Sequence, residues 1–105
     1  MQSGNQQEAK AQFDAALSIN PNEVNSLIGR GLIEYHGSAL DAALRDFEQA
    51  AQIGSSPTAR FWVGRVFEQE GKFPEAAISY QQALQMAPNL KEAQLHLKSV
   101  IAKVH

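Results

Sequence analysis

The stretch Gly71 to Pro88, "GKFPEAAISYQQALQMAP", decides the fold, because Gly4 to Pro21, "GNQQEAKAQFDAALSINP", says nearly the same thing earlier in the chain. Ser38 to Ser56, "SALDAALRDFEQAAQIGSS", is a looser third version. In each phrase an alanine, an aromatic and an alanine follow at intervals of four and three: Ala9, Phe13, Ala16; Ala43, Phe47, Ala50; Ala76, Tyr80, Ala83. Such intervals put each trio on one face of a helix. The first alanines of the trios lie 34 and then 33 residues apart, so the periodicity belongs to the fold and not to a single helix.

Further helical stretches precede the second and third phrases. When the trios are aligned, Gly31 falls on Gly64. A glycine inside a helix costs roughly 1 kcal/mol relative to alanine, so its use there implies a second helix close enough to exclude a side chain. Each full unit therefore reads as two helices, the first with a central glycine and the second with the alanine-aromatic-alanine stripe.

The punctuation predicts six helices, near 5–19, 22–36, 39–53, 57–70, 74–86 and 90–104, and no strands. Asn20, Pro21 and Glu23 read as cap, first-turn proline and reciprocal third position, and Ser56 with Pro57 repeats the device. Asn89 with Glu92 reads as another capping box. Gly71 ends the fourth helix and Pro74 opens the fifth. Loops this short make neighbouring helices antiparallel, and no linker long enough to separate domains interrupts residues 1–105.

Composition limits the function. The chain has 105 residues, 44% of them hydrophobic, and a formal charge of −2, which gives no overall attraction for nucleic acid or anionic lipid. Residues 1–56 carry three basic residues against seven acids, a formal −4, while residues 57–105 carry six against four, a formal +2. This polarity suits orienting a partner or stacking copies end to end, as well as a merely uneven solvated surface. With no cysteine, disulfides, thiolate catalysis and cysteine-ligated metal are excluded. No apolar run approaches membrane-spanning length, so direct membrane insertion is not expected. The first residues, "MQSGNQQEAK", lack the regions of a signal peptide, and if Met1 is the natural start a cytoplasmic chain is expected.

No catalytic constellation, cofactor motif or metal-ligand spacing is present. His36, His96 and His105 are far apart and read as surface histidines. The "GRG" of Gly29 to Gly31 lies within a helical stretch without a preceding strand, so it reads as close packing and not as a phosphate loop. Asp41, Asp46 and Glu48 read as a solvated helix face.

Taken together, these residues resemble the tetratricopeptide repeat, a helix-turn-helix unit of about 34 residues with small residues at two helix contacts. Val63, Gly64, Phe67, Gly71, Phe73, Ala76, Tyr80, Ala83 and Pro88 fall at that family's positions, and Gly31, Ala43, Phe47 and Ala50 repeat part of the pattern. On this resemblance, residues 1–105 form one all-α domain, a solenoid of helical hairpins. Residues 4–21 are a second helix without its first, 24–56 and 57–90 are whole repeats, and 91–105 are a partial repeat or capping helix. Lys98 stands at the glycine position of that last helix, which suits a cap.

The resemblance implies a noncatalytic interaction scaffold, with a protein or peptide bound in a concave groove lined by the first helices. The matching positions are Asn25, Ile28, Leu32, Tyr35 and His36, then Thr58, Phe61, Arg65, Glu68 and Gln69, and finally Glu92, Leu95 and Ser99. Phe61 and Arg65 lead among them, since four-residue spacing puts both on one helix face; Phe61 either meets a ligand or helps the helices pack. Trp62, rotated about 100° from Phe61, packs at an edge or forms a second exposed patch. One specialised member of the family clamps a peptide's terminal carboxylate with lysine, asparagine and arginine. Ile28, Leu32, Phe61 and Arg65 stand at the matching positions here, which argues against that ligand. Self-association through the incomplete terminal repeats is the alternative.

Overall fold

The structure, a computed structural model, describes residues 4–104. Its six helices are α1 (Gly4–Ile19), α2 (Val24–His36), α3 (Leu40–Gly54), α4 (Pro57–Gln69), α5 (Phe73–Met86) and α6 (Lys91–Ala102), and no strand occurs among the described residues. The six expected helices are all present, with ends shifted by a residue or two. His105, expected at the surface, lies outside the described residues.

Two compact units divide between Gly54 and Ser55. In the N-terminal unit α2 packs between α1 and α3; in the C-terminal unit α5 packs between α4 and α6.

Glycine meeting an aromatic ring makes each helix pair close. A Cβ on Gly31 would lie 2.6 Å from Phe47 Cε1, and one on Gly64 would lie 2.5 Å from Tyr80 Cε1. The equivalent contact between α2 and α1 uses Gly29, where a Cβ would run into the Phe13 ring. Both glycines of "GRG" therefore serve packing, one toward each neighbouring helix. The trios of α3 and α5 are fully buried, whereas Ala9, Phe13 and Ala16 of α1 are only half-buried.

The caps depart from expectation at two helix starts. Ser56 does cap α4, its Oγ accepting from the Ala59 N–H at 3.1 Å, with Pro57 following in the first turn. Before α2, however, the cap is Glu23, whose Oε1 accepts from the Ser26 N–H at 2.8 Å. Asn20 instead accepts from the Asn22 N–H at 3.1 Å, turning the chain ahead of the helix. The longer glutamate reaches the same orphan amide that a serine or aspartate normally satisfies. The expected Asn89–Glu92 capping box does not form: Leu90 is the N-cap of α6 and makes no side-chain cap bond. Gln94 secures that turn by donating to the Pro88 carbonyl at 2.7 Å.

Gly71, just past α4, has φ +77 and an open surround, while the aligned Ser38 takes φ 65 past α2. The same left-handed turn thus closes both hairpins, once with the residue that adopts it without steric cost and once with serine.

Candidate protein-binding surface

In the N-terminal unit, Asn25, Ile28, Leu32 and Tyr35 follow at helical spacing along one face of α2. Asn25 is exposed, Ile28 and Leu32 are half-buried, and Tyr35 is buried with its ring edge-on to exposed His36 at 5.4 Å between centroids. The face therefore offers two partly covered aliphatic side chains between polar neighbours.

Across α2, an ionic cluster joins all three helices of the unit. Arg30 donates from Nε and Nη2 to the two carboxylate oxygens of Asp46 on α3, each at 2.8 Å. Its Nη1 donates to Asp14 on α1 at 3.0 Å, and Lys10 stands 3.5 Å from the same carboxylate. Asp46, expected on a solvated face, is only 5% exposed. Helical position alone suggested water; the forked guanidinium arriving from the neighbouring helix makes burial of the charge tolerable.

These contacts set the local electrostatics. Hydrogen bonding to Asp46, ahead of the opposing cost of burial, raises the Arg30 guanidinium above its already high value. The Arg30 hydrogen bond is the largest influence on Asp14 and holds that carboxyl below its ordinary range. For Asp46, burial works upward, but hydrogen bonds from Arg30 and Glu34 outweigh it and the carboxyl is lowered.

In the C-terminal unit, Thr58 and Gln69 are exposed, and Arg65 and Glu68 are half-buried. Phe61 is 3% exposed and belongs to a core cluster with Ala76, Tyr80, Ala83, Ala93 and Val100. Its ring centroid lies 5.6 Å from that of Tyr80 and 5.5 Å from that of His96, so of its two readings helix packing is the one its position supports. Arg65 stands with its guanidinium carbon 5.5 Å from the Trp62 ring centroid, within cation–π range. The half-buried Trp62 thus flanks the candidate surface through Arg65.

Glu68 Oε1 gathers α4, α5 and α6. It accepts from the Tyr80 hydroxyl at 2.6 Å and lies 3.1 Å from His96 Nδ1. His96, read from sequence as a surface residue, is half-buried among Glu68, Phe61 and Tyr80. On α6, Glu92, Leu95 and Ser99 are exposed at helical spacing, with Leu95 68% exposed. The surface is therefore an aliphatic and polar strip beside a carboxylate held in place by two hydrogen-bonding partners.

No group of three or more histidines and acids is placed to hold a metal ion among the described residues. No described helix is long and apolar enough to cross a membrane.

Antiparallel helix pairs locked by an aromatic ring over a glycine define a helical-hairpin repeat protein. The tetratricopeptide repeat model matches residues 1–59, a second model of the same description matches residues 57–90, and the chain belongs to the tetratricopeptide repeat family. Among curated proteins it is similar to the Protein SGT1 homolog of Bos taurus, with 33% identity over 78 residues, covering 72% of this chain and 23% of that one. It spans less than a quarter of the length of the curated relatives it matches.

Among solved structures, the first TPR of Spaghetti (RPAP3) bound to the HSP90 peptide SRMEEVD superposes with TM-score 0.89 at 20% identity, covering 96% of this chain and 81% of that one. The Yersinia enterocolitica type III secretion chaperone SycD, in complex with a peptide of the translocator YopD, superposes with TM-score 0.88 at 17% identity, covering 97% and 84%. These two similarities establish the shared fold.

Proposed function

We propose that the chain is a noncatalytic scaffold that binds a peptide or partner helix through its first-helix faces. The observation that carries this reading is Leu95, a leucine 68% exposed on α6 with Glu92 and Ser99 about one turn to either side. An apolar side chain flanked by polar groups suits contact in which burial supplies affinity and hydrogen bonds fix register. Ile28 and Leu32 offer the same combination on α2, beside Asn25. Similar folds bound to peptides, as in the RPAP3 and SycD complexes, support the class of ligand.

Burial of Phe61 determines which variants test the surface. Truncating Phe61 would open a cavity in the core, so Leu95→Ser and Arg65→Ala are the informative changes. Peptides selected from a displayed random library against the whole chain should lose at least about tenfold in affinity to Leu95→Ser by calorimetry, or about 1.4 kcal/mol. Wild-type affinity in both variants, with helicity intact, would place the binding surface elsewhere.

A second reading, assembly of copies, is favoured by an apolar groove between α5 and α6 lined by Leu84, Leu97 and Ile101. The formal −4 and +2 of the two parts of the chain would favour contact between the N-terminal unit of one copy and the C-terminal unit of another. Sedimentation over a wide concentration range decides it, since a monomer throughout would rule assembly out.

A further inference from the structure

Arg30 serves Asp46 with a forked pair of hydrogen bonds and Asp14 with a single one, and a third carboxyl stands beside them. Glu34 lies one turn further along α2, with its Oε2 4.0 Å from Arg30 Nε. Its side chain is 11% exposed, and its Oε1 is enclosed without a hydrogen-bond partner. Asp46 and Glu34 both face Arg30 Nε, Asp46 at 2.8 Å and Glu34 at 4.0 Å, so the guanidinium is committed to the nearer carboxylate. A neutral carboxylic acid at Glu34 avoids placing a second, uncompensated carboxylate in this enclosed position.

The neighbouring charges support the same protonation state. Around Glu34 stand Lys10 and Asp14 of α1, Arg30 of α2 and Asp46 of α3. With Glu34 neutral, the two cations and two anions of this group cancel. Ionising Glu34 adds an uncompensated negative charge in a largely enclosed place, against the neighbouring Asp46 carboxylate.

We propose that Glu34 is held as a neutral carboxylic acid beside the Arg30–Asp46 ion pair, and that release of its proton to solvent loosens the packing of α1, α2 and α3 in the N-terminal unit. Burial, then the hydrogen bond and charge of Asp46, push the Glu34 carboxyl up to about 7, in agreement with the geometry. The device is independent of ligand binding, and its sign is fixed. A group whose affinity for protons is raised by folding stabilises the fold at low pH and ceases to do so as pH rises through its folded-state value.

The test uses the full chain and Glu34→Gln, whose neutral amide matches the carboxylic acid in size but does not titrate. Between pH 5 and 8.5 the wild-type melting midpoint should fall by roughly 4–8 °C, and the Gln variant should show a markedly shallower fall. The Glu34 carboxyl carbon, followed by NMR in the wild type, should titrate well above the ordinary glutamate value of 4.5. Amide exchange corrected for intrinsic rates should show α1 to α3 losing protection over the same range. A Glu34 titration at the ordinary value overturns the proposal, as do equal pH slopes in the two proteins. If the variant fails to fold, the wild-type NMR titration alone decides.

Discussion

A glycine opposite an aromatic ring is the smallest element of this fold, and its three occurrences are not equivalent. Phe47 and Tyr80 are fully buried, and the Tyr80 hydroxyl is held by Glu68, so neither ring has room to yield to a new methyl group. Phe13 is only half-buried and can swing outward. Alanine also gains about 1 kcal/mol of helix propensity over glycine, which opposes the clash. Gly31→Ala and Gly64→Ala should therefore each lose about 1–3 kcal/mol in urea unfolding, while Gly29→Ala stays near neutral. An equal loss at all three sites would show that ring mobility does not decide the cost. The glycine–aromatic pairing was legible because both partners recur at a fixed offset. Asp46 was not, because its partner Arg30 comes from another helix, and no spacing within α3 distinguishes a buried aspartate from a solvated one.

At the scale of the helix, stopping and starting signals separate into those that make bonds and those that only look the part. Ser56 satisfies an otherwise orphaned amide of α4, so Ser56→Ala should cost about 1 kcal/mol. Asn89 occupies an attractive position in sequence, but α6 begins one residue later without a side-chain cap, so Asn89→Ala should stay within about 0.5 kcal/mol. Thermal unfolding of the two variants side by side checks the contrast, and a larger loss from Asn89→Ala would restore the capping-box reading. Helix number and order were readable from periodicity and proline, which act locally. Cap identity at α2 and α6 was not, since a shift of one residue in the helix start changes which side chain reaches the first free N–H. For the candidate surface, the sequence assigned the residues to their helices but could not separate buried Phe61 from exposed Leu95. That difference depends on which neighbour covers each face.

At the scale of the whole molecule, the two units fill one position with different chemistry. Aligned by their glycines, Arg30, Glu34 and Asp46 correspond to Val63, Phe67 and Ser79. The first unit therefore responds to protons at both extremes. Asp14 and Asp46, held below their ordinary value of 3.8, contribute stability above it that is lost as pH falls further. Glu34 contributes stability below its ordinary 4.5 that is lost as pH rises through about 7. Replacing Arg30, Glu34 and Asp46 together by Val, Phe and Ser should flatten the alkaline limb. It should leave stability at neutral pH unchanged or raised by about 1–4 kcal/mol, as when other buried ion pairs give way to apolar packing. Melting curves from pH 3 to 9 would check both claims, and a steep alkaline fall in the triple variant would contradict them.

The rings stacked over Gly31 and Gly64 also make the molecule its own motion detector. A half-turn of Phe47 or Tyr80 about its Cβ–Cγ bond sweeps volume that the facing backbone already fills, so each flip must wait for the two helices to part briefly. The flip rate of Phe47 thus times the breathing of the first hairpin, and that of Tyr80 times the second. Each clock is built into the half whose opening it records.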